Sequence, residues 1–202
     1  TRGAVPPTLK RDVPGYAVDF AKTDKLARYR TALTINLGVG ILQIIILYFV
    51  ANSLSLFGDT SHSIADVLIL SGTVFVLRRE LANTLHDHSL AKRLLVRVAV
   101  LLLFVSAGYI AWEGAHGIIS PVNFPGWPVV ALALVSLGGN FAAHRIISGT
   151  EASLHDASHE ANIAHILTGL VLSPVVLISA LGNIIFGMPA IDAWLSLLVA
   201  LW

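Results

Sequence analysis

The chain contains no cysteine, which removes disulfides, thiolate-bound metal and cysteine nucleophiles together, so any metal site must be built from nitrogen and oxygen. Charge is nearly as scarce. Charged residues fill 12% of the 202 positions and hydrophobic residues 55%, with a mean hydropathy of +0.78, whereas a soluble domain carries about 25% charged residues. This balance belongs to a chain embedded in a bilayer. A signal-peptide pattern is also missing: residues 1–30 are polar, contain Pro6, Pro7 and Pro14, and show no short apolar core followed by a cleavage site. They read as a cytoplasmic arm, with a membrane-surface turn around Tyr16 to Phe20.

The apolar residues gather into six segments bounded by charge, Pro or Gly, at 31–52, 55–77, 94–118, 126–147, 160–186 and 190–202. The expectation is an all-α, polytopic fold of six transmembrane helices, with residues 31–202 as the six-helix membrane domain and residues 1–30 as its arm. The sixth segment is too short to span and reads as a truncated helix. Placing the basic N-terminus and the 78–97 and 144–160 loops inside satisfies the positive-inside rule with all 13 Lys and Arg residues. The N-terminus is therefore expected in the cytoplasm, here taken as that of a bacterial cell with the chain in its plasma membrane. Tyr48, Tyr109, Trp112, Trp127 and Trp194 fall near segment ends, as interfacial aromatics do.

Asp59, His62 and Asp66 stand at i, i+3 and i+7 in the second segment, within roughly 60° of helical arc. An ionised carboxylate at the bilayer centre costs about 2.5–3.5 kcal/mol on insertion scales, so these groups need a partner, and a divalent cation is one. The fifth segment offers His165, with Asn162 one turn before it and Gly169 one turn after. If the two helices pack face to face, His62, Asp66, His165 and Asp59 form a His2Asp2 shell suited to Zn2+. Asp59 also has a second reading, as a cap or an orienting group near the helix start. Other polar residues have plainer readings. His86, His88, His144, His155 and His159 lie in or beside cytoplasmic loops. Asn36 and Asn140 bridge helices or line a path, Glu113 and His116 form an interfacial pair, and Asp192 caps the sixth helix.

The run from Ser55 through Asp59, His62 and Asp66 resembles the second helix of the cation diffusion facilitators, whose motif is Asp-x-x-His-x-x-x-Asp in the zinc-selective branch. Asn36, Gly38 and Gln43, the Arg78-Arg79 to His86 loop, Glu113, Pro121, Trp127, Asn140 and the stretch Asp192 to Ser196 are similar to family features elsewhere. The resemblance covers about residues 28–202 and departs in two places. Gly169 stands where the family's fifth helix carries an Asp four residues after its His, which leaves the fourth ligand to Asp59, Asn162, a water, or His155 and His159. The cytoplasmic metal-sensing domain that commonly follows the sixth helix is not in these residues.

The expected function is export of Zn2+, or a similar divalent ion, in exchange for protons, because metal and protons compete for the same imidazole and carboxylate atoms. The resemblance further implies a homodimer and a rocking motion of helices 1, 2, 4 and 5, with Gly38, Gly40, Gly138 and Gly139 available for close helix contacts. Zn2+ is thus substrate, protons and lipid are the other partners, and no nucleic-acid partner is expected. Two rivals remain: a non-transporting membrane metal-binding or regulatory protein derived from such a transporter, and, less well supported, a membrane enzyme. The enzyme reading lacks an acid–base pair beside the stripe.

Overall fold

The computed structural model describes residues 14–82, 89–150 and 157–201. Among them are six helices and no strand: α1 Pro14–Phe49, α2 Leu54–Leu81, α3 Ser89–Ile119, α4 Gly126–Ser148, α5 Ala157–Phe186 and α6 Ala190–Leu201. Their ends follow local chemistry. Pro14 opens α1 at the position where a missing N–H costs nothing. Ser53 caps α2 by accepting from the Leu56 N–H at 3.3 Å, and Gly187 leaves α5 at φ 61°, a conformation glycine adopts without steric cost.

Two boundaries differ from the sequence expectation. α1 runs unbroken through residue 30 and through the stretch where a surface turn was expected. The segment from Ala21 to Arg30 is rich in Ala, Lys, Leu and Arg, good helix formers that carry the apolar helix back into the polar arm. The third helix likewise starts at Ser89 rather than near 94.

Four helices are long and apolar enough to cross a membrane: Ala21–Phe49, Leu54–Leu81, Gly126–Ser148 and Asn162–Phe186. α3 is a continuous helix of 31 residues over the third apolar segment. α6, with 12 residues, rises only about 18 Å against a hydrocarbon core of about 30 Å.

The packing is inverted relative to a water-soluble bundle. Phe49 (83% exposed), Phe104, Trp112, Phe141 and Phe186 face outward, while Asn36, Gln43, Asp59, His62, Asp66, Ser136, Asn140 and Ser173 are buried. Such an arrangement is stable where the surroundings are lipid and polar groups must find partners inside. α1 packs on α2 and α4, and α5 packs on α4 and α2, so these four helices close a bundle; α3 and α6 pair with each other and lean on α2. Among the four glycines expected at close contacts, only Gly139 is tight: a Cβ added there would stand 2.8 Å from Val39 Cγ2 of α1; Gly38 and Gly138 face open space and Gly40 has ordinary clearance.

The short connections 50–53, 120–125 and 187–189 lie at one end of the bundle. Asn183 Nδ2 donates to the Phe124 carbonyl at 2.9 Å there. Asp192 ties the same end together, but as a cap for α2 rather than for its own helix. Its carboxylate accepts from the Leu54 N–H (2.7 Å), the Ser55 N–H (3.2 Å) and the hydroxyls of Ser53, Ser55 and Ser179. Free N–H groups at a helix start favour an anion, and Asp192 is the buried anion within reach. Glu113 and His116 do not form the expected pair; the His116 Nδ1–H donates to the Trp112 carbonyl one turn earlier at 3.0 Å. Asp192→Ala leaves five donors without their acceptor, at about 1–3 kcal/mol for a buried unsatisfied group. A clear fall in thermal unfolding temperature in detergent is expected, with a smaller fall for Ser179→Ala.

Candidate metal centre

α2 presents His62 and Asp66 one turn apart, both almost fully buried (2% and 1%), and α5 brings His165 against them. His165 Nε2 is 3.4 Å from Asp66 Oδ1, His62 Nε2 is 3.8 Å from Asp66 Oδ2, and the imidazole rings are 4.4 Å apart between centroids. One ligand atom from each residue lies within 4.8 Å of the others, the one such trio among the described residues. In a tetrahedral zinc shell with bonds of about 2.0–2.2 Å, neighbouring ligand atoms are about 3.3–3.5 Å apart. The carboxylate–imidazole spacings therefore approach that of a coordination shell.

The hydrogen bonding around the trio is incomplete. Neither Asp66 oxygen accepts a hydrogen bond, and His165 Nε2 makes none. His62 Nε2 lies 3.1 Å from the His165 carbonyl, to which it donates as an N–H; for Nε2 to serve as a ligand the proton moves to Nδ1 and that hydrogen bond is given up. A buried carboxylate with no donor on either oxygen is costly, and a cation between Asp66 and the two histidines would remove that cost.

Asp59 lies outside this group. It accepts from Gln43 Nε2 at 2.6 Å, Ser136 Oγ at 2.9 Å and Ser173 Oγ at 3.4 Å, so α1, α4 and α5 all donate to it. The second of its two sequence readings, an orienting group, matches this environment better than that of a ligand. Of the other candidates for a fourth ligand, Asn162 donates to Thr73 Oγ1 at 3.3 Å and His159 shares a 2.9 Å hydrogen bond between Nδ1 and the Tyr29 hydroxyl. His155, like His86 and His88, falls outside the described residues. His144 pairs with Ser148 in its own helix. Asn36 donates back to the Ala32 carbonyl and so bridges no helices through that bond.

Gly169 has a specific neighbour. A Cβ added there would stand 2.8 Å from Asn140 Nδ2, and 3.2 Å from both Asn140 Cγ and His62 Cδ2. Asn140 Nδ2 donates to Ser173 Oγ at 3.4 Å, and Ser173 Oγ in turn contacts Ser136 Oγ at 3.1 Å. The polar layer thus runs from the histidines through Asn140, Ser173 and Ser136 to Asp59 and Gln43. Sequence reasoning missed the two serines. Their signal was available: each is a lone hydroxyl in an apolar run, facing inward.

Along each bundle helix this layer sits between two apolar clusters. One contains Leu47, Leu56, Val129, Leu132 and Val176; the other contains Tyr29, Leu70, Val74, Ile147 and Ile166. Beside the layer, a largely apolar cavity of about 500 Å³ reaches His62 and Ser61 between α2, α3, α5 and α6. Pro174 follows Ser173 within α5; having no N–H, it leaves the Leu170 carbonyl without its helical donor, a weak point one turn beyond Gly169.

The two carboxylates of α2 should respond oppositely to removal. With chelator present, Asp59→Ala strands three donors and is expected to lose about 1–3 kcal/mol, whereas Asp66→Ala removes an acceptor that holds none. Matched thermal melts in detergent should place Asp59→Ala clearly below Asp66→Ala; the reverse order would contradict the hydrogen bonding described above.

Comparison with curated proteins gives no significant match. A family model does match: the cation efflux transmembrane domain, over residues 30–202, which takes in every helix but the first turns of α1. That family transports metal cations across membranes. With its inverted packing, its apolar helices and its buried nitrogen–oxygen trio, this chain is an integral membrane protein and belongs to the cation efflux family.

Proposed function

We propose that the protein exports Zn2+, or a similar divalent ion, from the cytoplasm in exchange for protons, binding it through His62, Asp66 and His165. The observation that carries this reading is Asp66: a buried carboxylate with neither oxygen hydrogen-bonded, 3.4 and 3.8 Å from two imidazoles. Two nitrogen donors favour Zn2+ over Mg2+ or Mn2+, which prefer oxygen. Asp59 supports the layer from behind, held by Gln43, Ser136 and Ser173.

Proton coupling follows from the donor set. Imidazole binds metal only when its lone pair is free and carboxylate only when ionised, so every proton taken up by the trio opposes the ion. Cytoplasmic loading and external release then need the site to face each side in turn. Apolar clusters on both sides of the polar layer mean that passage along the bundle requires the helices to shift. The orientation with the basic connections inside satisfies the charge rule. Residues 31–202 act as the transport domain with 1–30 as its arm, and a homodimer joined through membrane helices is the assembly the resemblance suggests.

Gly169 favours a second reading, in which a chain short of one carboxylate binds the ion without moving it. Proteoliposomes separate the two. Under an imposed pH gradient, the transporter reading expects Zn2+ uptake that collapses in Asp66→Ala, and equilibrium Zn2+ affinity that weakens as pH is lowered. Binding without gradient-driven flux would select the second reading, and equal Zn2+ binding by wild type and Asp66→Ala would remove both.

A further inference from the structure

We propose that Asn140 of α4 supplies the fourth donor to the ion, its carboxamide oxygen occupying the space into which a side chain on Gly169 would point. This rests on the His62, Asp66 and His165 site proposed above and adds a residue from a third helix. Gly169 follows His165 by one turn on α5, and a Cβ there would aim between Asn140, at 2.8 Å, and His62, at 3.2 Å. That space is already filled by the Asn140 carboxamide, which is buried to 2% exposure. The two positions exclude each other: a side chain at 169 would have to displace the amide. Glycine at 169 is what leaves room for the Asn140 amide, its nitrogen foremost, on the side of α5 that faces His62.

The amide has the chemistry for the role. Its carbonyl oxygen is a neutral metal ligand and its nitrogen a donor; a half-turn about the last side-chain bond exchanges the two. The nitrogen is loosely held, at 3.4 Å from Ser173 Oγ, so turning the oxygen toward the ion gives up little. A neutral fourth donor also changes the charge of the site. Asp66 alone leaves a divalent ion with one uncompensated positive charge, whereas a second carboxylate would cancel it. Asp59, one serine away from Asn140 through Ser173, is the nearest anion of the layer outside the trio. A shell of this kind holds its ion less tightly than a two-carboxylate shell and releases it more readily.

The test is calorimetric titration of Zn2+ into the purified full chain in detergent, each variant also checked by thermal melt. Asn140→Ala is expected to weaken binding by about 10- to 100-fold, the range seen when a group ordering a metal site is lost. Asn140→Asp, nearly the same shape, is expected to tighten it by about 10-fold or more, a gain that a purely structural asparagine would not produce. The double variant Asn140→Ala with Gly169→Asp is expected to bind more tightly than Asn140→Ala alone, because the amide no longer blocks the α5 side chain. If Asp66→Ala abolishes binding while Asn140→Ala binds like wild type, the assignment of Asn140 is wrong and the trio stands. Should Asn140→Ala not fold, unchanged or weaker binding by Asn140→Asp overturns the proposal. Wild-type affinity in Asp66→Ala overturns the trio itself, and with it the role of Asn140.

Discussion

A carboxylate without a hydrogen-bond donor, buried in a bundle surrounded by lipid, is the constraint on which the polar interior depends. Asp66 cannot be hydrated where it lies, and its nearest polar neighbours are two imidazoles that can share a cation with it. In a low-dielectric interior such an arrangement is costly while the anion lacks a counter-charge and favourable once one arrives. A cation bound there would offset a cost that the unliganded protein carries, the trade-off between stability and function seen in many proteins.

Three buried carboxylates show how environment separates roles that composition cannot. Asp192 accepts five hydrogen bonds at the start of α2 and joins α2, α5 and α6 at one end of the bundle. Asp59 accepts three from α1, α4 and α5 and, with Gln43, closes the end of the layer away from the histidines. Asp66 accepts none. The first two are satisfied by protein, and satisfied anions hold helices together; the third has no donor on either oxygen. Both satisfied anions lie toward the start of α2 from Asp66, so that end of the helix is the one fixed by hydrogen bonds to its neighbours.

The apolar clusters on either side of the layer give the bundle its other property. They put packed apolar side chains on both sides of the layer along the axis, while the cavity beside it reaches His62 laterally; charge interactions inside such packing are stronger than in water. The interruption of α5 hydrogen bonding at Pro174 lies on the same helix as His165, and α5 packs against both α2 and α4. Any change in its local geometry reaches both sides of the site.

Much of this was legible in the linear chain because helical periodicity and the cost of burying charge are local rules. The i, i+3, i+7 stripe of Asp59, His62 and Asp66, the membrane class and the presence of His165 on another apolar helix needed nothing more, and the motifs carried the likeness to cation diffusion facilitators; that His165 meets the second helix was an expectation conditional on how the helices pack. Which member of the stripe stayed unpaired was not legible, since it depends on Gln43, Ser136 and Ser173 arriving from three other helices. The same holds for Asp192, whose partners at the start of α2 lie more than a hundred residues away, and for Gly169, where the absence of a side chain acquires meaning only through the Asn140 amide beside it. Sequence determined the solvent, the helices and the donors on each helix face, because those follow from spacing along one chain. Tertiary packing decided which donors meet, because hydrogen-bond satisfaction is a property of neighbours in space.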